Sequence, residues 1–144
     1  MLDPLWKELK SGTDVRGVAC EGIPNEKINL TDSVIERITA AFVEKKPDKL
    51  TISLGHDSRI SADRIEQAAV RALKGAGIKI FLCGLASTPS MFMTTVDLSC
   101  DGAIQITASH HPWNRNGLKF FTRNGGLDSS DLEEVLALAQ ADKK

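Results

Sequence analysis

Apolar residues recur along this chain with two periods, and the switching between them lays out a fold. From Thr31 onward Val34, Ile35, Ile38, Ala41 and Phe42 fall three or four residues apart, the spacing that lines one face of a helix. Ser33 with Glu36 reads as a capping box at its start, and Pro47 as its end. Leu50, Ile52 and Leu54 then alternate with Thr51 and Ser53, the period of a short strand, which Gly55 stops. A second helix is expected from about Ser61, with Ile65, Ala69, Ala72 and Leu73 inward and Gly75 or Gly77 closing it. The run Ile78 to Cys83 carries one charge, Lys79, and reads as a buried strand. Gly84 to Pro89 reads as a loop, Ser90 to Val96 as a short helix, Ala103 to Ile106 as a third strand and Leu118 to Thr122 as a fourth. After a turn at Asn124-Gly125-Gly126, Ser130 with Glu133 caps a last helix whose inner face is Leu132, Val135, Leu136 and Ala139. At the other end, Asp3 and Pro4 open a short helix within the first ten residues.

Helices alternating with short apolar strands predict an α/β fold: a mixed, mostly parallel sheet of about four strands sandwiched by helices. The last strand follows its neighbour too closely for a helical crossover, so it is expected to run antiparallel. Ligands on such sheets bind beyond the carboxyl ends of the strands. Three polar loops are expected to share that edge: Gly55 to Arg59, Gly84 to Ser90, and Thr107 to Gly117.

Composition narrows the partners. The 144 residues fit one domain, 1–144, large enough for its own core. A formal net charge of −1 supplies no bulk field for nucleic acid or an anionic membrane, and 5% aromatics with no Tyr argues against a base-stacking platform. Cys20, Cys83 and Cys100 are odd in number, share no metal-ligand spacing and read as reduced thiols. No apolar leader or membrane-length stretch is present in these residues, so a cytoplasmic setting is expected.

The densest chemistry lies in Thr107-Ala108-Ser109-His110-His111-Pro112-Trp113-Asn114-Arg115-Asn116-Gly117-Leu118-Lys119. A serine hydroxyl is a weak nucleophile unless a neighbour takes its proton or cations stabilise the charge it develops. Phosphoryl transfer suits the set, because its catalysis is mostly positioning and electrostatics. A phosphoserine carries about −1.5 to −2 charges, which Lys119 and Arg16 can hold. Ser11-Gly12-Thr13-Asp14-Val15-Arg16-Gly17 is the second candidate: its glycines let the backbone of Ser11, Gly12 and Thr13 approach a phosphate, and Arg16 can fork onto it. The bland alternatives are a solvated loop and a turn before a strand. His56, Asp57 and Arg59 read as braces between loops, Trp113 as a lid over apolar surface and Cys83 as core. Three His without paired spacing argue against zinc.

Ser-Gly-Thr-Asp-Val-Arg-Gly near the start, Gly-His-Asp-Ser-Arg after the first strand, Ser-Thr-Pro at 87–89, and Ile-Thr-Ala-Ser-His-His-Pro followed by Asn-Gly-Leu-Lys together resemble the α-D-phosphohexomutases, the phosphoglucomutase and phosphomannomutase superfamily. The resemblance spans almost the whole chain, in the order of that family's first domain. It implies that Ser109 is the serine carried phosphorylated, with His110 next to that phosphate. Lys119 is implied in proton transfer beside it, and Arg16 faces the same phosphate. The implied reaction moves a phosphoryl group between O1 and O6 of a hexose phosphate through a sugar bisphosphate. Hexose 1,6-bisphosphate is the implied activator, and Mg²⁺ would touch a phosphoserine oxygen. His111 stands where the family most often has Asn, and no Asp-Gly-Asp-Gly-Asp-like metal loop occurs here. The metal site is therefore expected to be completed by a later domain, absent from these residues together with the sugar-reading loops. The isolated domain is expected to be inactive. The rivals are a non-catalytic module binding phosphate or sugar phosphate, and a serine hydrolase, which lacks its Gly-x-Ser-x-Gly elbow.

Overall fold

The computed structural model describes residues 2–44, 51–108 and 111–141. In chain order the elements are α1 (Pro4–Leu9), β1 (Lys10–Ser11), β2 (Asp14–Val18), α2 (Asp32–Glu44), β3 (Thr51–His56), α3 (Ala62–Gly75), β4 (Lys79–Leu85), α4 (Thr88–Asp97), β5 (Gly102–Ile106), β6 (Arg115–Thr122), β7 (Gly125–Gly126) and α5 (Ser129–Ala141). The strands form one sheet in the order β1-β2-β6-β5-β3-β4, with β7 paired to β6. β3 runs parallel to β4 and β5, whereas β6 is antiparallel to both β5 and β2. The expected α/β sandwich is there, with a mixed sheet. Seven strands among the described residues replace the expected four, because β1 and β7 hold only two residues each and the five-residue β2 carries charges in place of an apolar alternation.

Side chains alternate across the sheet and separate two cores. Ile52, Leu54, Ile104, Ile106, Leu118, Phe120 and Val15 face one side, where they meet Ile35, Ile38 and Phe42 of α2, Ile65, Ala69 and Leu73 of α3, and Leu132, Val135, Leu136 and Ala139 of α5. Every residue of the predicted inner face of α5 is buried. On the other side Ala103 and Phe121 meet Met91 of α4. There the Ser53 hydroxyl bonds to that of Thr94, so a buried polar pair ties strand to helix.

Several boundaries differ from expectation. Pro47 and Leu50 lie outside the described residues. Thr31, not Ser33, caps α2: its Oγ1 accepts from the Val34 amide at 3.2 Å. Asp128, not Ser130, caps α5, its Oδ1 accepting from the Asp131 amide at 2.8 Å. Both caps sit outside the first helical turn, where an orphan amide can reach them. Asp3 precedes α1 but makes no side-chain cap. Gly55 does not stop β3; it pairs with Gln105 inside the ladder, and a Cβ there would lie 2.5 Å from the Met91 sulfur. α4 starts at Thr88, earlier than expected, with Ser87 accepting from the Ser90 amide at 3.2 Å.

The largest correction concerns β4. An apolar run without a period reads as buried on both faces, yet β4 is the sheet edge, and Leu82 and Leu85 are 61% and 71% exposed. Leu54 pairs with Leu82 and Gly55 with Gly84, so Cys83 is the extra residue of a bulge and Gly84 takes φ +67° beside it. Cys83 is accordingly half-buried rather than core.

Candidate functional site

β3 and β5 run side by side and end together, so the loops that follow them emerge at one edge. There the Asp57 amide donates to the Ile106 carbonyl at 3.0 Å, and the Thr107 hydroxyl donates to Asp57 Oδ2 at 2.8 Å. Arg59 reaches across to the same loop and donates to the carbonyls of Pro112 (2.7 Å), His111 (2.8 Å) and Arg115 (3.2 Å). Its Nε lies 3.4 Å from Asp57 Oδ2. The third loop joins through Ala86, whose amide donates to the His56 carbonyl at 2.9 Å and whose carbonyl accepts from Gln105 at 2.7 Å. The three loops expected to converge do so. His56 follows the expected bracing pattern more weakly: its Nδ1 is 2.7 Å from the Asp57 carbonyl and its Nε2 3.9 Å from Glu66.

β2 brings the N-terminal motif to this corner. Arg16 pairs with Gly117 and Val15 with Leu118, so Val15 joins the large core while Asp14 and Arg16 share the opposite face with Lys119. Asp14 bridges the two cations, one carboxylate oxygen 3.0 Å from Lys119 Nζ and the other 2.9 Å from Arg16 Nη2. Arg16 is only 6% exposed and lies against Gly117, where a Cβ would approach its Nη1 to 2.8 Å. Burial pulls the Arg16 guanidinium below its ordinary value; Asp14 opposes this, and Arg59 and Asp57 are near enough to act on it as well. Three cations and two carboxylates therefore share one corner, and their sum is positive. Such a place suits a phosphate, provided a guanidinium fork is held in position.

Lys119 and Arg16 are thus brought together, through a carboxylate that spacing alone did not single out. Asp14 is signalled only by its place two residues before Arg16 on a strand, which puts both on one face. Gly12 and Thr13 form the exposed turn between β1 and β2, with Gly12 at φ +63°, and Ser11 ends β1 paired with Asp14. Thr13 Oγ1 lies 3.5 Å from Asp14 Oδ1 at the edge of the cluster. Gly17 is a packing glycine: a Cβ there would lie 2.6 Å from Asn29 Oδ1 and 2.8 Å from Leu9. Ser109 and His110 lie outside the described residues. The loop re-enters the description at His111, whose amide donates to the Ala108 carbonyl at 3.0 Å. Beyond it, buried Asn116 donates to Ser61 at 2.9 Å and buried Asn114 to Glu26 at 2.9 Å, which fix the descent into β6. Trp113 is half exposed and packs over Gly22.

No group of three or more His, Cys, Asp or Glu able to hold a metal occurs among the described residues. Asp14 and Asp57 are each engaged by cations, so the described residues do not by themselves fit a Mg²⁺ ion.

Comparison with known proteins gives a consistent outcome. A phosphoglucosamine mutase from Moorella thermoacetica is 38% identical over 126 residues, covering 87% of this chain and 28% of the relative. A phosphomannomutase from Escherichia coli is 33% identical over 130 residues, covering 88% of this chain and 26% of the relative. The crystal structure of a phosphoglucomutase/phosphomannomutase family protein from Burkholderia thailandensis shares the fold, with a TM-score of 0.77 at 22% identity over 97% of this chain and 31% of that one. The chain thus spans under a third of the length of these relatives. The family model described as "Phosphoglucomutase/phosphomannomutase, alpha/beta/alpha domain I" matches residues 8–144, and the chain belongs to that family.

Proposed function

We propose that this chain is the phosphoserine-bearing domain of a phosphohexomutase that moves a phosphoryl group between O1 and O6 of a hexose phosphate. The observation that carries the reading is the Asp14 bridge, which holds Arg16 and Lys119 on one face beside the loop containing Ser109. Ser109 carries the phosphoryl group, and His110 adjoins it in the chain. In transfer the bond from phosphorus to the serine oxygen breaks as one to a sugar hydroxyl forms. One proton passes from that hydroxyl to the serine oxygen, and Lys119 is assigned its transfer. Arg16, already fixed by Asp14, receives the phosphoryl oxygens at no further ordering cost. The Ser11-Gly12-Thr13 turn approaches the phosphate from solvent.

Mg²⁺ would supply charge neutralisation at the phosphoryl oxygens, held by carboxylates outside this chain. The same longer protein would provide the sugar-reading contacts, with hexose 1,6-bisphosphate as activator. Among the described residues no helix is long and apolar enough to cross a membrane. A cytoplasmic setting belongs to the proposal, in keeping with three unpaired cysteines.

The test is to treat the longer protein with hexose 1,6-bisphosphate and map phosphate by mass spectrometry. Ser109 is expected to be the single stoichiometric site. The 144-residue chain, assayed alone with Mg²⁺ and bisphosphate, is expected to fold and show no turnover. Label on another residue with Ser109 unmodified would overturn the assignment, and binding of sugar phosphate without any label would favour a non-catalytic module.

A further inference from the structure

The loop following β5 is gathered around a side chain that lies 52 to 56 residues earlier in the chain. Backbone carbonyls of His111, Pro112 and Arg115 all point at the Arg59 guanidinium. Carbonyl dipoles turned toward one spot repel each other, so this curl needs a cation at its centre. The nearer end of the loop is held by Asp57, which accepts from Thr107 and also pairs with Arg59, through its carboxylate at 3.4 Å and through the Arg59 amide at 3.1 Å. Asp57 and Arg59 thus act as one unit that grips the loop two residues before Ser109 and again two residues after it.

We propose that Arg59 is a positioning residue for the Ser109 nucleophile, acting through the loop backbone. The proposal rests on the reading of Ser109 as the phosphoryl carrier and adds what fixes it in place. A lysine cannot substitute, since one ammonium lacks the planar fork that serves carbonyls on two sides while Nε faces a carboxylate. Because a misplacement of about 1 Å can cost on the order of 10²-fold in rate, loosening this grip is read in the phosphoryl-transfer step.

The experiment uses Arg59→Ala and Arg59→Lys in the longer protein, with the single-turnover rate of Ser109 phosphorylation by hexose 1,6-bisphosphate as the main readout. Arg59→Ala is expected to slow labelling on the order of 10²-fold and Arg59→Lys on the order of tenfold, lowering kcat far more than KM is changed. Guanidinium ion at a non-denaturing concentration is expected to restore part of the Arg59→Ala rate and none of the Arg59→Lys loss. In the 144-residue chain, amide exchange is expected to rise in the 107–117 loop and stay unchanged in α2, α3 and β5. If Arg59→Ala fails to fold, Arg59→Lys decides through the same rate. Labelling of a folded variant within twofold of wild type overturns the proposal, as does a rate loss matched by faster exchange throughout the core. Failure of the wild type itself to label Ser109 is a different result, which overturns the underlying reading.

Discussion

Gly117→Ala tests the junction of fold and site at a single atom. Gly117 lies on β6 opposite Arg16 of β2, and a Cβ there would stand 2.0 Å from the Val15 carbonyl oxygen and 2.8 Å from both Cδ and Nη1 of Arg16. The arginine tip can shift; the carbonyl belongs to a paired strand and cannot. Ordinary contact at roughly 3.5 Å requires the two strands to part by about 1.5 Å locally. That separation weakens the neighbouring ladder bonds, each worth about 0.5–1.5 kcal/mol. Overpacking adds about 1–3 kcal/mol. Together these cost about 2–5 kcal/mol, and for a domain of this size the thermal midpoint falls on the order of 10 °C. Calorimetry on the 144-residue chain is the assay, with two controls. Gly126→Ala meets nothing nearer than 3.9 Å and is expected to leave the midpoint in place. Gly75→Ala meets nothing within 4 Å at the end of α3 and is expected to raise it slightly, since alanine is the better helix former by up to about 1 kcal/mol. A Gly117→Ala midpoint within a degree of wild type would refute the close approach of β2 to β6.

Three other outcomes are expected. Lys119→Met in the longer protein should lower kcat by roughly 10²–10⁴ while shifting the melting midpoint by only a few degrees, because Asp14 keeps Arg16 as its partner; unchanged turnover with normal Ser109 labelling would remove Lys119 from the mechanism. Hydrogen bonds from the Asp131 amide and the Ser130 hydroxyl hold the Asp128 carboxyl below its ordinary value, so its stabilisation is present above the unfolded-state value and lost as pH falls through the folded one. The melting difference between wild type and Asp128→Ala should therefore be full at pH 7 and vanish on acidification, and a difference that does not change with pH contradicts this role. Burial pushes the Cys100 thiol up, and it is fully covered, so peptide mapping after brief native alkylation should find Cys100 unmodified while Cys20 reacts; early labelling of Cys100 would show that corner to be open.

Long periodic segments were legible because burial of a helix face needs many residues in phase. Ile35, Ile38 and Phe42 of α2 and the whole inner face of α5 are where the period puts them. β2 was not legible as a strand, because Asp-Val-Arg-Gly-Val places charges where alternation usually means solvent. Here that face is neither core nor water, and Arg16 is buried against Gly117. The reverse error befell β4, whose apolar letters say nothing about how many neighbours a strand has. Sequence brought Arg16 and Lys119 forward as joint holders of one phosphate, but their shared partner Asp14 depends on a register between strands about a hundred residues apart. Both caps were displaced by two residues because Thr31 and Ser33, or Asp128 and Ser130, carry the same kind of acceptor.

The open edge at β4 also bears on how the chain behaves before it is folded. Ile80-Phe81-Leu82-Cys83 is an apolar, proline-free stretch of good strand formers, and Lys79 is the one charged residue from Ile78 through Val96. Strand edges of this kind template intermolecular stacking, and a flanking lysine acts as a gatekeeper by electrostatic repulsion between stacked copies. The bulge at Cys83 with Gly84 gives a second safeguard, since a kinked edge offers no straight ladder to a newcomer. Removing the lysine charge, or straightening the kink by replacing Gly84, would expose a nearly flat sticky edge. Such variants would be lost to aggregation during synthesis even where the native state is hardly weakened.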